Sequence, residues 1–385
     1  MENFVYSIPT KIYFGKGQIK NLGQEVRKYA DKVLLVYGGG SIKRNGIYDA
    51  VIDQLQEHGI AWEELSGVEP NPRLTTVEKG TAICKEKGIQ AVLPIGGGST
   101  LDCAKVVAAA ARYEGNAWDL VLDPGKIKEV LPILSVLTLA ATGSEMDTFA
   151  VITNEATQDK IGTGSPLMRP AVSFMDPEYT FSVSAYQTGA GTADMMSHIF
   201  EAYFSNTEGY MQDRIAEALL KTCIEYGVRA IKEPKDYEAR ANLMWVSSWA
   251  INDFISLGKP VAWTVHPMEH ELSAYYDITH GAGLAILTPH WMRYVLNDDT
   301  VDKFYQYGVN VWSIGEKADK YAVANEAIDK TADYFKALGM PSTLTEVGID
   351  DSLLPTMAKK AAARLKGAYM ELSEDQVLEI FRKAL

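Results

Sequence analysis

The stretch Ala91-Val-Leu-Pro-Ile95-Gly96-Gly-Gly98-Ser99 decides the fold of this 385-residue chain. A short apolar run, then glycines, then a helical pattern to residue 111 is typical of a buried strand, a tight turn and a helix. The runs Val33-Leu-Leu-Val-Tyr37 and Ile133-Leu-Ser-Val-Leu-Thr-Leu139 also end in turns that contain glycine. This repetition predicts a parallel sheet wound with helices.

The pattern changes after Asp176-Pro177. Long stretches with a helical period of 3.6 residues follow, at 213–231, 237–254, 301–314 and 322–338. We therefore predict an α/β, Rossmann-like domain over residues 1–180. An all-helical domain is expected over residues 181–385.

Composition limits the possible partners and the compartment. The net charge of −13 comes without a basic stripe, which argues against binding to nucleic acid. Apolar runs stay below the length of about 18 residues that a membrane span requires. The cysteines, three and widely spaced, are typical of a reducing compartment. Since the N-terminus has no signal-peptide pattern either, we expect a cytoplasmic protein.

The glycine turns indicate a nucleotide site. Backbone N–H groups in a glycine turn before a helix can approach a pyrophosphate closely, and the helix N-terminus favours the negative charge. The turn Gly38-Gly-Gly40-Ser41 lacks a carboxylate and is followed by Lys43 and Arg44. Small residues and cations suit a ribose 2′-phosphate, so we predict NADP(H) over NAD(H). Each turn alone is also compatible with a simple tight loop, and the two cations with a solvated helix start.

Histidines cluster in one region of the sequence. Five of the six lie between residues 198 and 290. In Asp194-Met-Met-Ser-His198 a carboxylate and an imidazole share one helix face, and His266 and His280 can complete a ligand set. One Asp and three His suit Fe(II), Zn(II) or Mn(II). His270 can be a ligand, a proton shuttle or a hydrogen-bonding residue. The alternative is that each histidine is an ordinary core or surface residue.

Several motifs in order make the whole chain resemble a known family. They are Pro9-Thr-Lys-Ile-Tyr-Phe14-Gly-Lys-Gly17, Glu69-Pro-Asn71-Pro72, Gly96-Gly-Gly-Ser-Thr-Leu-Asp102, Ala141-Thr-Gly-Ser-Glu145, His266-Pro-Met-Glu-His270 and His280-Gly-Ala-Gly283. The chain resembles the iron-containing (group III) alcohol dehydrogenases, especially the butanol dehydrogenase and NADPH-dependent aldehyde reductase type. The resemblance implies a dehydroquinate synthase-like fold, with an α/β and a helical domain.

The resemblance also implies a reaction and site residues. It implies hydride transfer between NAD(P)H and a short- to medium-chain aldehyde or primary alcohol, by a homodimer that holds Fe(II) or Zn(II). The implied metal ligands are Asp194, His198, His266 and His280, and the implied catalytic residues are His266 and His270, the latter beside the nicotinamide. The implied cofactor contacts are Gly38, Gly39, Ser41, Asn71, Gly97, Gly98, Ser99, Asp102, Thr138, Thr142, Phe149 and Lys160.

Three alternatives stay open at this point. A glycerol or polyol dehydrogenase, or a dehydroquinate synthase-type enzyme, shares the two-domain plan and the metal. A non-redox metalloenzyme, such as a hydrolase with a metal-bound water, does not need two glycine turns. A metal- or nucleotide-binding protein without catalysis would bind cofactor but turn over no aldehyde.

Overall fold

A computed structural model describes residues 1–259, 261, 263–316 and 318–385. The chain forms two compact units. The α/β unit comprises Ser7–Val183 and Lys235–Ser248. The helical unit comprises Met1–Tyr6, Ser184–Pro234 and Trp249–Leu385.

The strands of the α/β unit are β1 Lys11–Phe14, β2 Lys32–Tyr37, β3 Ala61–Ser66, β4 Ala91–Gly96, β5 Leu134–Leu137, β6 Phe149–Asn154, β7 Asp159–Gly164 and β8 Val172–Met175. Six of them form one sheet of order β1-β8-β5-β4-β2-β3, in which every neighbouring pair is parallel. The other two, β6 and β7, form a separate antiparallel hairpin.

Helices connect the parallel strands and make up most of the rest of the chain. Those of the first half are α1 Leu22–Val26, α2 Ser41–Arg44, α3 Ile47–Glu57, α4 Leu74–Lys87, α5 Gly98–Ala110 and α6 Ala117–Leu122. Those of the second half are α7 Ala185–Tyr203, α8 Tyr210–Lys232, α9 Tyr237–Trp249, α10 Val265–Tyr276, α11 His280–Val295, α12 Val301–Asn310, α13 Lys320–Ala337, α14 Leu354–Ala362 and α15 Glu374–Lys383.

Both faces of the parallel sheet are buried. Along β2, Leu34 and Val36 belong to one apolar cluster, whereas Val33 and Leu35 belong to a second. Successive side chains of a strand point to opposite faces, so helices must cover both sides of this sheet. This explains why the central strands are continuous apolar runs rather than alternating ones.

The predicted fold class is confirmed: a parallel, Rossmann-like sheet precedes a helical second half. The three apolar runs form β2, β4 and β5. The helix predicted over 237–254 is too long, because α9 ends at Trp249. There the Asn252 side chain accepts a hydrogen bond from the N–H of Phe254, and Asp253 takes a left-handed φ of 75°.

Helix α9 packs inside the α/β unit through its C-terminal half. Met244 joins an apolar cluster with Leu101, Leu137 and Met175. The carboxylate of Glu145, in the loop after β5, accepts a hydrogen bond from the hydroxyl of Ser248. Glu145 is almost completely buried, and burial raises its pKa to about 7. The folded protein therefore favours the protonated, neutral side chain.

This gives a prediction for stability against pH. Between the ordinary pKa of 4.5 and about 7, the folded state keeps a proton on Glu145 that the unfolded state releases. The stabilisation is complete below the lower value and is lost as pH rises through the higher one. We expect Glu145→Gln to flatten the fall in unfolding free energy between pH 5 and pH 8 (roughly this window), measured by urea denaturation. The exposed control Glu155→Gln should keep the wild-type slope, and equal slopes in both variants would contradict the assignment.

The helical unit brings α11 unusually close to α7. A Cβ placed on Gly281 would lie 2.0 Å from the carbonyl oxygen of Ala190, so only glycine allows this approach. His280, one residue earlier, is therefore carried against the middle of α7. Among the described residues no helix is long and apolar enough to cross a membrane.

Candidate functional site

Three helices of the helical unit carry the predicted metal ligands. Asp194 and His198 lie one turn apart on α7, His266 lies in the first turn of α10, and His280 is the first residue of α11. Asp194, His198 and His266 are buried, whereas His280 is half-buried. The structure thus brings together four side chains that are up to 86 positions apart in sequence, the interval from 194 to 280.

The ligand atoms converge on one carboxylate oxygen. Asp194 Oδ1 lies 3.4 Å from His198 Nε2, 3.7 Å from His266 Nε2 and 3.6 Å from His280 Nε2. Ligands at 2.0–2.2 Å from a tetrahedral metal are about 3.4 Å from one another. The separations from Asp194 Oδ1 therefore match the edges of such a coordination shell.

Two of these histidines have a carboxylate on their other ring nitrogen. Nδ1 of His266 lies 3.1 Å from Glu201 Oε1, and Nδ1 of His280 contacts Glu269 Oε2. A carboxylate at Nδ1 keeps the proton there and leaves the Nε2 lone pair for a metal. Neither glutamate stands out in the sequence. Glu201 continues the series Asp194, His198, Glu201 on one face of α7, but a solvated glutamate would show the same spacing.

The protonation of the cluster follows from burial and mutual charge. Burial lowers the pKa of His198 to about 4, so this imidazole is neutral near pH 7. Burial also opposes charge on Asp194, but His198, His266 and His280 hold its pKa well below the usual range. For His266, contacts with Asp194 and Glu201 outweigh burial and raise the pKa to about 9. A metal must therefore displace a proton from His266.

The residues fit a divalent cation. Asp194 Oδ1 and His266 Nε2 are buried without a hydrogen-bond partner in the described part of the chain. Such atoms are costly unless a partner satisfies them, and a metal would satisfy both at once. Ligand atoms of Asp194, His198 and His266 all lie within 4.8 Å of one another, as do those of Glu269, His270 and His280. The donor set admits Fe(II) and Zn(II).

His270 stands beside this cluster, half-buried on α10. Its ring centroid is 5.5 Å from that of His280 and 6.3 Å from that of His266. It is close enough to act at the same site as the cluster without being needed to complete the shell around Asp194 Oδ1.

The predicted cofactor residues follow the carboxyl ends of neighbouring parallel strands in the α/β unit. Ligands of open α/β sheets bind at this edge. Gly38, Gly39 and Ser41 follow β2, Asn71 follows β3, Gly97, Gly98 and Ser99 follow β4, and Thr138 and Thr142 follow β5. Lys160 is buried in β7, and Phe149, at the start of β6, is 41% exposed.

Two of the predicted cofactor residues, Asp102 and Gly98, hold the loop after β5 in place. Both carboxylate oxygens of Asp102 accept hydrogen bonds, one from the hydroxyl of Ser144 and one from the N–H of Val151. Asp102 thereby fixes the loop that carries Thr142. A Cβ on Gly98 would lie 2.3 Å from the Thr142 side chain, so the start of α5 and this loop need a glycine between them.

The turn after β2 leaves open space at Gly39, and the Lys43 side chain that follows it already contacts a carboxylate and two aromatic rings. A Cβ on Gly39 would meet nothing within 4 Å. The ammonium of Lys43 lies 3.5 Å from Glu64 Oε2 and over the rings of Tyr48 and Tyr37, at 4.4 and 5.0 Å. Lys43 therefore contributes a cation whose charge Glu64 partly offsets.

Comparison with known proteins identifies the family of the chain. Residues 9–177 match the family described as iron-containing alcohol dehydrogenase, and residues 188–385 match its C-terminal domain. The NADH-dependent butanol dehydrogenase B of Clostridium acetobutylicum is 60% identical, over 100% of both chains. The NADPH-dependent aldehyde reductase YqhD of Escherichia coli is 39% identical, over 94% of this chain and 93% of the relative. The crystal structure of NADH-dependent butanol dehydrogenase A from Thermotoga maritima superposes with a TM-score of 0.95, at 40% identity, over 100% of this chain and 99% of that one.

These matches define an oxidoreductase. The chain belongs to the iron-containing alcohol dehydrogenase family, which uses NAD(P)H and a metal ion and acts on small alcohols and aldehydes. This assignment favours an alcohol dehydrogenase or aldehyde reductase over the alternatives raised from the sequence.

Removing one ligand tests the proposed shell. We expect His280→Ala to weaken Zn(II) or Co(II) binding by at least about 100-fold. Losing a residue that only hydrogen-bonds a metal ligand already lowers metal affinity by about 10–100-fold, and loss of a ligand itself should cost more. The measurement is chelator competition with the metal-free protein. His290→Ala is the control, because His290 is half-buried on the same helix but outside the cluster. Unchanged affinity in His280→Ala would remove this residue from the shell.

Proposed function

We propose that this chain is a metal-dependent alcohol dehydrogenase, or aldehyde reductase. It transfers hydride between NAD(P)H and a short- to medium-chain aldehyde or primary alcohol of the butanol type. The observation that carries the proposal is the convergence of three imidazoles on Asp194 Oδ1, in a chain of this family. The relatives at 60% and 39% identity, a butanol dehydrogenase and an aldehyde reductase, support the substrate class.

In this proposal Asp194, His198, His266 and His280 hold one Fe(II) or Zn(II). When bound, the metal supplies Lewis-acid polarisation of the substrate oxygen, and the nicotinamide supplies or accepts the hydride. The protein's contribution is to fix the shell. Asp194 anchors it, and the carboxylates of Glu201 and Glu269 orient two of the imidazoles.

His270 is the proposed proton-handling residue. Aldehyde reduction consumes a proton at the developing alkoxide, and an imidazole can supply it near neutral pH. Its place next to His266 and His280 supports this role. His266 is counted as catalytic through the metal that it would bind.

The proposed cofactor site uses the strand-end residues of the α/β unit. The N–H groups at the start of α5, including those of Gly98 and Ser99, suit the pyrophosphate, because the N-cap residue Gly97 has no side chain to occupy them. Gly38, Gly39 and Ser41 would border the adenosine ribose. Asn71, Asp102, Thr138, Thr142, Phe149 and Lys160 complete the proposed set.

The cofactor preference is proposed as NADP(H) over NAD(H). The open space at Gly39 and the cation of Lys43 support it. Two observations favour NAD(H) instead: Glu64 partly neutralises Lys43, and the 60% identical relative is an NADH-dependent butanol dehydrogenase. Homodimeric assembly and a cytoplasmic location stay predictions.

The substitution Gly39→Asp tests that preference. A carboxylate in this open space should repel a 2′-phosphate and accept the hydroxyl of an unphosphorylated ribose. We expect the ratio of kcat/KM for NADPH to that for NADH to fall, and Gly39→Asn to lower it less because Asn carries no charge. An unchanged ratio in Gly39→Asp would place the 2′ position elsewhere.

The activity itself is tested by metal replacement. We expect protein stripped of metal to be inactive with butyraldehyde, and reloading with Fe(II) or Zn(II) under anaerobic conditions to restore oxidation of NADPH above that of NADH. The measurement is loss of nicotinamide absorbance. No loss of absorbance with any metal and cofactor would contradict the proposed activity. Hydrolysis of an ester or amide with unchanged absorbance would indicate a non-redox metalloenzyme.

A further inference from the structure

Glu201 holds the beginning of helix α10 as well as a ring of the metal cluster. Its carboxylate accepts hydrogen bonds from the N–H groups of Thr264 and Val265, both at 2.8 Å, and of His266, at 3.1 Å. The same Oε1 atom lies 3.1 Å from Nδ1 of His266. One buried side chain of α7 therefore makes four contacts with three consecutive residues.

Helix α10 begins without the usual local cap. Its N-cap residue, Thr264, makes no capping hydrogen bond with its side chain. The first N–H groups of a helix have no partner within it, and the helix dipole places partial positive charge there. Glu201 satisfies those of Val265 and His266, and Pro267 at the next position has no N–H to satisfy. A carboxylate from another helix thus replaces the missing cap.

This dual use couples the backbone of α10 to the orientation of its histidine. Because Oε1 contacts both the backbone N–H and the ring Nδ1 of His266, the ring has one favoured direction. That direction turns Nε2 towards Asp194 Oδ1, at 3.7 Å. Asp194, His198 and Glu201 lie on one face of α7, so a single rigid helix sets the position of two ligands and the orientation of a third.

We propose that Glu201 is a positioning residue for the metal centre: it caps α10 and orients His266, so that the ligand shell is preformed before the metal arrives. This inference rests on the proposed metal site. A neutral side chain of the same shape would keep much of the packing. It would lose the charge that holds the proton on Nδ1 and one of the two acceptor atoms.

The chain offers a matched control in Glu217 of α8. Glu217, like Glu201, is 5% exposed in the helical unit. It accepts hydrogen bonds from Tyr203 at 2.8 Å, and from Gln306 and Asn310, both at 3.0 Å, and it pairs with Arg214. It contacts none of the four proposed ligands through these bonds. Glu217→Gln therefore removes a buried charge of equal connectivity without disturbing a histidine.

The test measures Co(II) binding to metal-free Glu201→Gln, Glu217→Gln and wild type. Chelator competition gives the Kd, the visible absorption of bound Co(II) reports its coordination, and thermal melts of the metal-free proteins report stability. We expect Glu201→Gln to bind Co(II) about 10–100-fold more weakly, with an altered Co(II) spectrum. Glu217→Gln should lower the melting temperature but keep the wild-type Kd and spectrum.

The outcomes separate the two proposals. Wild-type protein that binds no Co(II) would overturn the metal site itself. Wild-type Kd and spectrum in Glu201→Gln, or equal weakening in both variants, would leave the metal site and overturn the role of Glu201. If Glu201→Gln does not fold, Glu201→Asp against Glu217→Asp decides by the same measurements, because the shorter side chain keeps the charge but shortens the reach to His266.

Discussion

The structure of the helical unit depends on one buried carboxylate, that of Asp194. A charge removed from water is costly unless other charges or hydrogen bonds compensate it. Here three imidazoles from three helices surround a single oxygen, and the histidines keep the acid ionised. The helices α7, α10 and α11 must therefore come together at Asp194, and the packing of the unit has to allow this close approach.

Two devices bring the helices to that point. Gly281 lets α11 approach the carbonyl oxygen of Ala190 to a distance that no side chain would permit. Glu201 fastens the first turn of α10 to α7 through backbone hydrogen bonds. The first acts by the absence of an atom and the second by a charge. Both act on the backbone and set the positions of His280 and His266, whose rings are then held by the carboxylates of Glu269 and Glu201.

The sequence predicted those features that depend on local geometry. Helical spacing alone puts Asp194 and His198 on one face, and apolar runs ending in glycine identify β2, β4 and β5. It did not identify Glu201, because a glutamate on a helix among 50 acidic residues looks like any solvated one until α10 covers it. The strand β8 and the hairpin of β6 and β7 were missed as well. The strand β8 has four residues and takes its conformation from β1 and β5, which are distant in sequence, whereas β6 and β7 pair with each other across residues 155–158.

Helix α9 has a consequence for how the chain can be divided. Residues 235–248 fold into the α/β unit although both flanking segments fold into the helical unit. No single cut of the backbone therefore yields two complete halves. A fragment ending at residue 183 would lack Met244 and leave apolar surface of Leu101, Leu137 and Met175 in water, with Glu145 deprived of Ser248. The segments of the two units thus alternate along the chain, and neither unit is encoded by one continuous piece of the gene.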